Sequence, residues 1–159
     1  MIDELRPVWK QFEETCAALR DSLVAVPDEG LAWRPGGQAV SVAHIVQHVA
    51  SANSHYASRM DGVERERGGE YEDEPSRAWL VERLNESERR VREAFERVTS
   101  DTLRRHCAHE WRPLNEEPPV RGPLDVLWFA LQTVRHSAYH LGQVNLYVLL
   151  RDPSSERSG

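Results

Sequence analysis

At 159 residues and a formal net charge of −6, the chain has the length of one domain and enough of it to bury a core without staples. Its charges are mixed and mildly acidic, which argues against nucleic acid as a partner, because phosphate binding wants a basic face. The two cysteines, Cys16 and Cys107, build no disulfide framework, no apolar run of bilayer length is free of polar residues, and acids near the N-terminus replace the apolar stretch of a signal peptide; a soluble, cytoplasmic protein with no membrane partner is expected.

Residues 3–26 read as a first helix. Leu5, Trp9, Phe12, Cys16, Leu19, Leu23 and Val26 recur at steps of four and three, one apolar stripe. Pro27 and Gly30 are expected to end it, and residues 31–37, with Trp33-Arg34-Pro35, read as a loop. Ser41 is placed to cap a second helix running to Asp61. Val42, Ile45, Val49, Tyr56 and Met60 form its core stripe, and His44, His48 and His55 a second stripe at the edge of that face.

Residues 61–76 are crowded with acids and arginines and read as a solvated connection. Ser76 then caps a third helix to Val98, with Leu80, Leu84, Val91, Phe95 and Val98 inward. Glu86/Arg90, Glu88/Arg92 and Glu93/Arg97 are spaced for pairing along its outer face. Residues 99–122 contain Pro113, Pro118 and Pro119 and read as a long crossover with one helical turn near Thr102 to Arg105. A last helix is predicted from Pro123 to Leu150, followed by a disordered tail, 152–159. With no strand pattern found, residues 1–151 are expected to form one all-α domain, a four-helix bundle with a long crossover connection.

The last helix is apolar on two faces. Leu127, Leu131, Val134, Ala138, Leu141, Asn145 and Val148 line one; Phe129, Thr133, His136, His140, Gln143 and Tyr147 line the other. A helix apolar nearly all round is either central to its bundle or shared with a second subunit. A homodimer is expected.

His-x-x-x-His occurs twice, as His44/His48 and His136/His140. On a helix, residues four apart face the same way, so each pair can hold one ion from one side. Two neutral imidazoles from one helix and one from a facing helix make a three-histidine site with open positions. Such a site leaves the ion's charge uncompensated and lowers the pKa of a bound water or thiol. No carboxylate stands in the repeat for di-iron chemistry, and no Glu follows either first histidine as in a zincin. His106, Cys107 and His109 match no common metal spacing. Trp33 is a candidate wall for the pocket mouth, and Tyr139 and Arg135 flank the pair without an assigned catalytic role.

Three pieces in order resemble the DinB/YfiT-like family of metal-dependent four-helix proteins: the Trp33-Arg34-Pro35 loop leading to the helix of His44 and His48, the charged middle, and the late Arg135-His136-Ser137-Ala138-Tyr139-His140-Leu141-Gly142-Gln143 segment. The resemblance implies a four-helix bundle, often dimeric. It implies a divalent metal, zinc or nickel, on one histidine of the second helix and two of the last, here His48, His136 and His140. It also implies an enzyme acting on a small electrophile, a thiol-dependent S-transferase using bacillithiol, mycothiol or glutathione, or a metal-assisted hydrolase. The alternative is a non-catalytic metal- or ligand-binding stress-response protein.

Overall fold

The computed structural model describes residues 1–63, 71–111 and 120–151. The expected tail and part of the charged connection lie outside them. A 3-10 turn, Asp3–Leu5, leads into α1 (Arg6–Ala25), with Pro7 in the first turn, where its missing N–H costs nothing. The predicted stripe, from Leu5 through Leu23 to Val26, is buried throughout. The chain does not simply leave the helix there. A single turn, α2 (Asp28–Leu31), carries Leu31 into the core. A Cβ at Gly30 would lie 1.9 Å from the end of the flexible Arg151 side chain and 2.8 Å from Val26 Cγ1, so a larger residue there would have to displace both.

The two predicted serine caps are present. Ser41 accepts from the His44 N–H at the start of α3 (Val42–Asp61), and Ser76 from the Trp79 N–H at the start of α4 (Arg77–Arg97). Gly62 closes α3 in the left-handed conformation at φ 72°. On α4 the Glu86–Arg90 pair forms as spaced. The other two are re-partnered: Glu88 takes Arg20 from α1, Arg92 takes Glu96, Arg89 takes Glu93, and Arg97 takes Asp61 from α3.

The crossover is not strand-free. β1 (His106–Trp111) and β2 (Val120–Asp125) pair antiparallel, with register breaks between His106 and Ala108 and between Ala108 and Glu110. Those breaks erase the period-2 signature by which a strand is read. Pro123 therefore lies in β2, where a two-stranded sheet has only edges and tolerates it. The last helix, α5 (Val126–Arg151), starts later than predicted because Asp125 caps it, accepting from the Trp128 N–H at 2.8 Å. The expected helical turn is a hydrogen-bonded turn on the Thr99 carbonyl, which accepts from Thr102 and Leu103.

The four long helices close a bundle in which α1 and α3 each pack on both α4 and α5. The core is split. One cluster gathers around Phe12, Tyr56, Phe95 and Phe129, and the other around Leu23, Ile45, Leu80 and Val144. Between them every long helix contributes a buried polar side chain: Thr15, Asn53 with Ser54, Ser87, and Thr133 with Ser137. Thr15, Ser54, Ser87 and Thr133 donate to carbonyls of their own helices. Ser137 instead donates to Asn53 Oδ1 at 3.2 Å, tying α5 to α3 at the waist of the bundle.

The interior face of α5 falls between its two predicted stripes. Val126, Phe129, Ala130, Thr133, Ser137, His140 and Val144 are buried, whereas Leu131, Ala138 and Asn145 of the leucine stripe are exposed. Leu146, Leu149 and Leu150 are exposed too. A helix apolar nearly all round offers no periodicity from which to choose its face; packing chooses. No helix among the described residues is long and apolar enough to cross a membrane.

Candidate metal centre

The waist of the bundle carries the histidines. His48 follows buried Gln47 on α3, and His136 and His140 bracket buried Ser137 on α5. The α3–α5 packing that brings Ser137 to Asn53 also brings the three rings together. His48 Nε2 lies 3.0 Å from His136 Nε2, which lies 3.2 Å from His140 Nε2. The potential ligand atoms of the three all lie within 4.8 Å of one another.

The tautomers follow from the neighbours. His140 Nδ1 lies 2.6 Å from Gln143 Oε1, an acceptor, so this nitrogen carries the proton and Nε2 presents a lone pair. Gln143 Nε2 in turn donates to the Tyr139 hydroxyl at 3.2 Å. Gln143 is thus a positioning residue, one turn from its histidine and within the reach of an i,i+3 pair. Its presence in the sequence motif was visible, but its role needed the rotamer.

Burial keeps all three rings neutral. The His136 pKa is lowered to about 3, by desolvation first and then by His140 and His48. That of His48 falls to about 4, by desolvation, then His140 and His44. That of His140 is lowered by burial against the raising effect of Gln143. No carboxylate is among the charges acting on them.

This arrangement fits a divalent cation. His136 Nε2 faces two ring nitrogens, and one of them, on His140, is a bare lone pair; a single proton cannot bridge both contacts in line. A tetrahedral ion with bonds of about 2.0–2.1 Å holds its nitrogens about 3.3 Å apart, close to the spacing found. His136 Nδ1, buried and without a hydrogen-bond partner among the described residues, is a further sign of a ring held for its other nitrogen.

The remaining candidates separate from the triad. His44 is exposed and stacks against Tyr71, ring centroids 5.2 Å apart. Gln47 holds that stretch by two bonds to the Glu72 backbone, at 3.0 and 2.7 Å. The His55 ring nitrogen lies 3.5 Å from Arg59 Nε. Cys107 donates to the Arg105 carbonyl, and the His109 side chain lies outside the described residues. Trp33 stands edge-on to Tyr147, ring centroids 5.9 Å apart. Tyr56, its hydroxyl pushed up to about 12 mainly by burial, sets its ring 5.7 Å from His136.

A family model described as the DinB superfamily matches residues 11–144. Among solved structures, a DinB-like protein from Bacillus subtilis is 12% identical, with 91% of each chain covered and a TM-score of 0.67. A conserved protein from Enterococcus faecalis is also 12% identical, covers 94% of this chain and 98% of its own, and has a TM-score of 0.73. Identity that low shows the fold alone. No curated protein matches the sequence.

Proposed function

This chain belongs to the DinB superfamily, and on that premise we propose that it is a divalent-metal-dependent transferase, joining a low-molecular-weight thiol to a small electrophile. The observation that supports this reading is the convergence of three neutral imidazole nitrogens from His48, His136 and His140. Zinc or nickel suits such a donor set. A bound divalent ion supplies Lewis acidity that makes a thiolate or hydroxide available near neutral pH.

The chain's own residues do the rest. Gln143 fixes the His140 tautomer and ring angle, while Ser137 and Asn53 hold α5 and α3 in register beneath the rings. Tyr56 and Phe129 pack on the interior side and keep water from it. The histidines act as ligands, not bases, and no residue is assigned as the proton carrier.

A second copy of the chain suits the outer face of α5, where Leu131, Ala138, Leu146 and Leu149 are exposed and Arg135 is the one charge before Arg151. Sedimentation equilibrium tests this homodimer: Leu146→Glu is expected to give monomer, and a monomeric wild type overturns it.

Elemental analysis of purified protein tests the centre. About one zinc or nickel per chain is expected in the wild type and a sharp loss in His140→Ala. A metal-free wild type, or an unchanged variant, overturns the reading. Turnover of a model electrophile is then compared across bacillithiol, mycothiol and glutathione with metal present and chelated. Metal-dependent turnover without any thiol would make water the nucleophile and the protein a hydrolase. Stoichiometric metal with no turnover of either kind would support the binding protein instead.

A further inference from the structure

The outer face of α5 has an order that its place in one chain does not explain. Leu131, Arg135, Ala138, Gly142, Asn145 and Leu149 are all exposed and follow one another at steps of four and three, so they make a single stripe along the helix. Read from either end, the stripe runs large apolar, polar, small, small, polar, large apolar. Each member stands as many residues before His140 as its counterpart stands after it. His140 itself faces the other way, into the bundle.

Gly142 lies well inside a helix of 26 residues, where glycine loses backbone entropy and alanine would be the more stable choice. Nothing in its own chain asks for it: its φ is not positive, and a Cβ there would meet no atom within 4 Å. Bare backbone on an outer surface suits the close approach of another backbone. Around it Leu131, Tyr139, Leu146, Leu149 and Leu150 are each more than half exposed. Over two copies these side chains leave roughly 1,000 Å² bare, the order that a specific interface buries. No acid lies on α5, so two copies of a chain with net charge −6 can meet there without bringing carboxylates together.

We propose that two copies of the chain pack α5 against α5, antiparallel, about a two-fold axis at the level of His140. A two-fold contact uses one patch twice, and an antiparallel one sets each residue against the one equally far beyond the axis. Ala138 then meets the partner's Gly142, Leu131 the partner's Leu149, and Arg135 the partner's Asn145. Small on small lets the helices close together, and no charge meets its like. Asn145 Oδ1 accepts from Ser22 at 2.6 Å and keeps a second lone pair for the guanidinium. This rests on the homodimer proposed above and gives it an arrangement. The histidines point away from the contact and lend it no ligand, so metal content does not depend on it.

Sedimentation equilibrium of Gly142→Gln is expected to show self-association at least about tenfold weaker than in the wild type, because the new side chain has open space in its own chain and none in the pair. Metal content and helical circular dichroism should stay unchanged. Disulfide trapping reads the direction of the helices. Ala138→Cys and Gly142→Cys are made separately with Cys107→Ser, which leaves buried Cys16 as the other thiol, and are oxidised with diamide alone and after mixing. A covalent dimer is expected on mixing and little in either variant alone, since a disulfide does not span cysteines set a turn apart across the axis. Equal cross-linking of each variant with itself would mean parallel helices and overturn the proposal, as would an unchanged Gly142→Gln. A dimeric wild type whose variants give no mixed disulfide would overturn this arrangement and leave the homodimer standing. A monomeric wild type would overturn both.

Discussion

The α1/α4 seam and the α3/α5 seam both carry polar side chains at the surface of the bundle, and they treat them in opposite ways. On α1/α4, Arg20 reaches Glu88 and Asn85, and Arg92 lies over the Trp9 ring at 5.4 Å. Those residues line a cleft of about 410 Å³. The neighbouring Cys16 thiol is pushed up to about 12, by burial and then by Glu88, which leaves it an inert core residue. Each polar group there has its complement within the chain. On α3/α5, three ring nitrogens face one another at 3.0 and 3.2 Å, and His136 Nδ1 is buried without a partner among the described residues. The α1/α4 cleft is electrostatically complete; the α3/α5 seam, which is not, holds the candidate centre. Unsatisfied valence, not cavity volume, is what singles it out.

The sharpest way to test that contrast is to complete the α3/α5 seam. Metal at about a thousandfold over its Kd is expected to stabilise the wild type by about 4 kcal/mol, a rise in Tm of roughly 8–16 °C. His136→Leu should show no such rise. Its metal-free form should be the more stable by about 1 kcal/mol, because a buried nitrogen without a partner is gone. Thermal unfolding with and without chelator reads both. Acid gives the same contrast a direction. The folded-state pKa values of His48 and His136 are depressed from 6.5 to about 4 and about 3, so between those limits the unfolded chain binds more protons. The metal-free protein should hold this contribution in full above pH 6.5 and lose it progressively as the pH falls toward 4 and then 3. Denaturant titrations at stepped pH check the slope, and a shallower one in His48→Leu/His136→Leu ties the difference to these rings, since His44 and His140, also lowered, still titrate.

What the sequence could show differed between the same two seams. The stripes on α1, α3 and α4 and the caps at Ser41 and Ser76 are local, set by spacing and by one side chain beside its own helix, and they were legible. So was the grouping of His48, His136 and His140, once the family resemblance set the late histidine motif beside the second helix. The hairpin was not, because its register breaks remove the alternation that announces a strand. The buried face of α5 was not either, since a nearly all-apolar helix names no side. Glu88 was spaced for Arg92 but went to Arg20, a partner 68 residues away that no local pattern contains. The same holds for the Gln143 contact, where spacing allowed the bond and only packing selected it.

Gln143→Leu strikes the α3/α5 seam more gently. It keeps the volume but removes the acceptor that fixes the His140 tautomer, so His140 Nε2 is free to carry the proton. Metal affinity is expected to drop about 10- to 100-fold, with Gln143→Glu restoring much of it through a carboxylate acceptor. Competition against a chromogenic chelator measures this, and an unchanged affinity in the leucine variant would remove Gln143 from the centre.

The smallest expected effect belongs to the other seam. Glu88 is 18% exposed and Arg20 26%, so Glu88→Gln leaves a partly buried guanidinium with Asn85 and a neutral amide in place of a carboxylate. Solvent still reaches both groups, which holds the cost to about 1 kcal/mol, or a few degrees in Tm. Metal content should not move, because α1/α4 lies across the bundle from the histidines and contributes no ligand to them. The cleft beside Trp9 would then behave as a structural seam whose polar groups serve only each other. A Glu88→Gln variant that lost metal while keeping its fold would break the distinction, for it would mean that the two seams are coupled through the polar waist of Thr15, Ser87, Asn53 and Ser137.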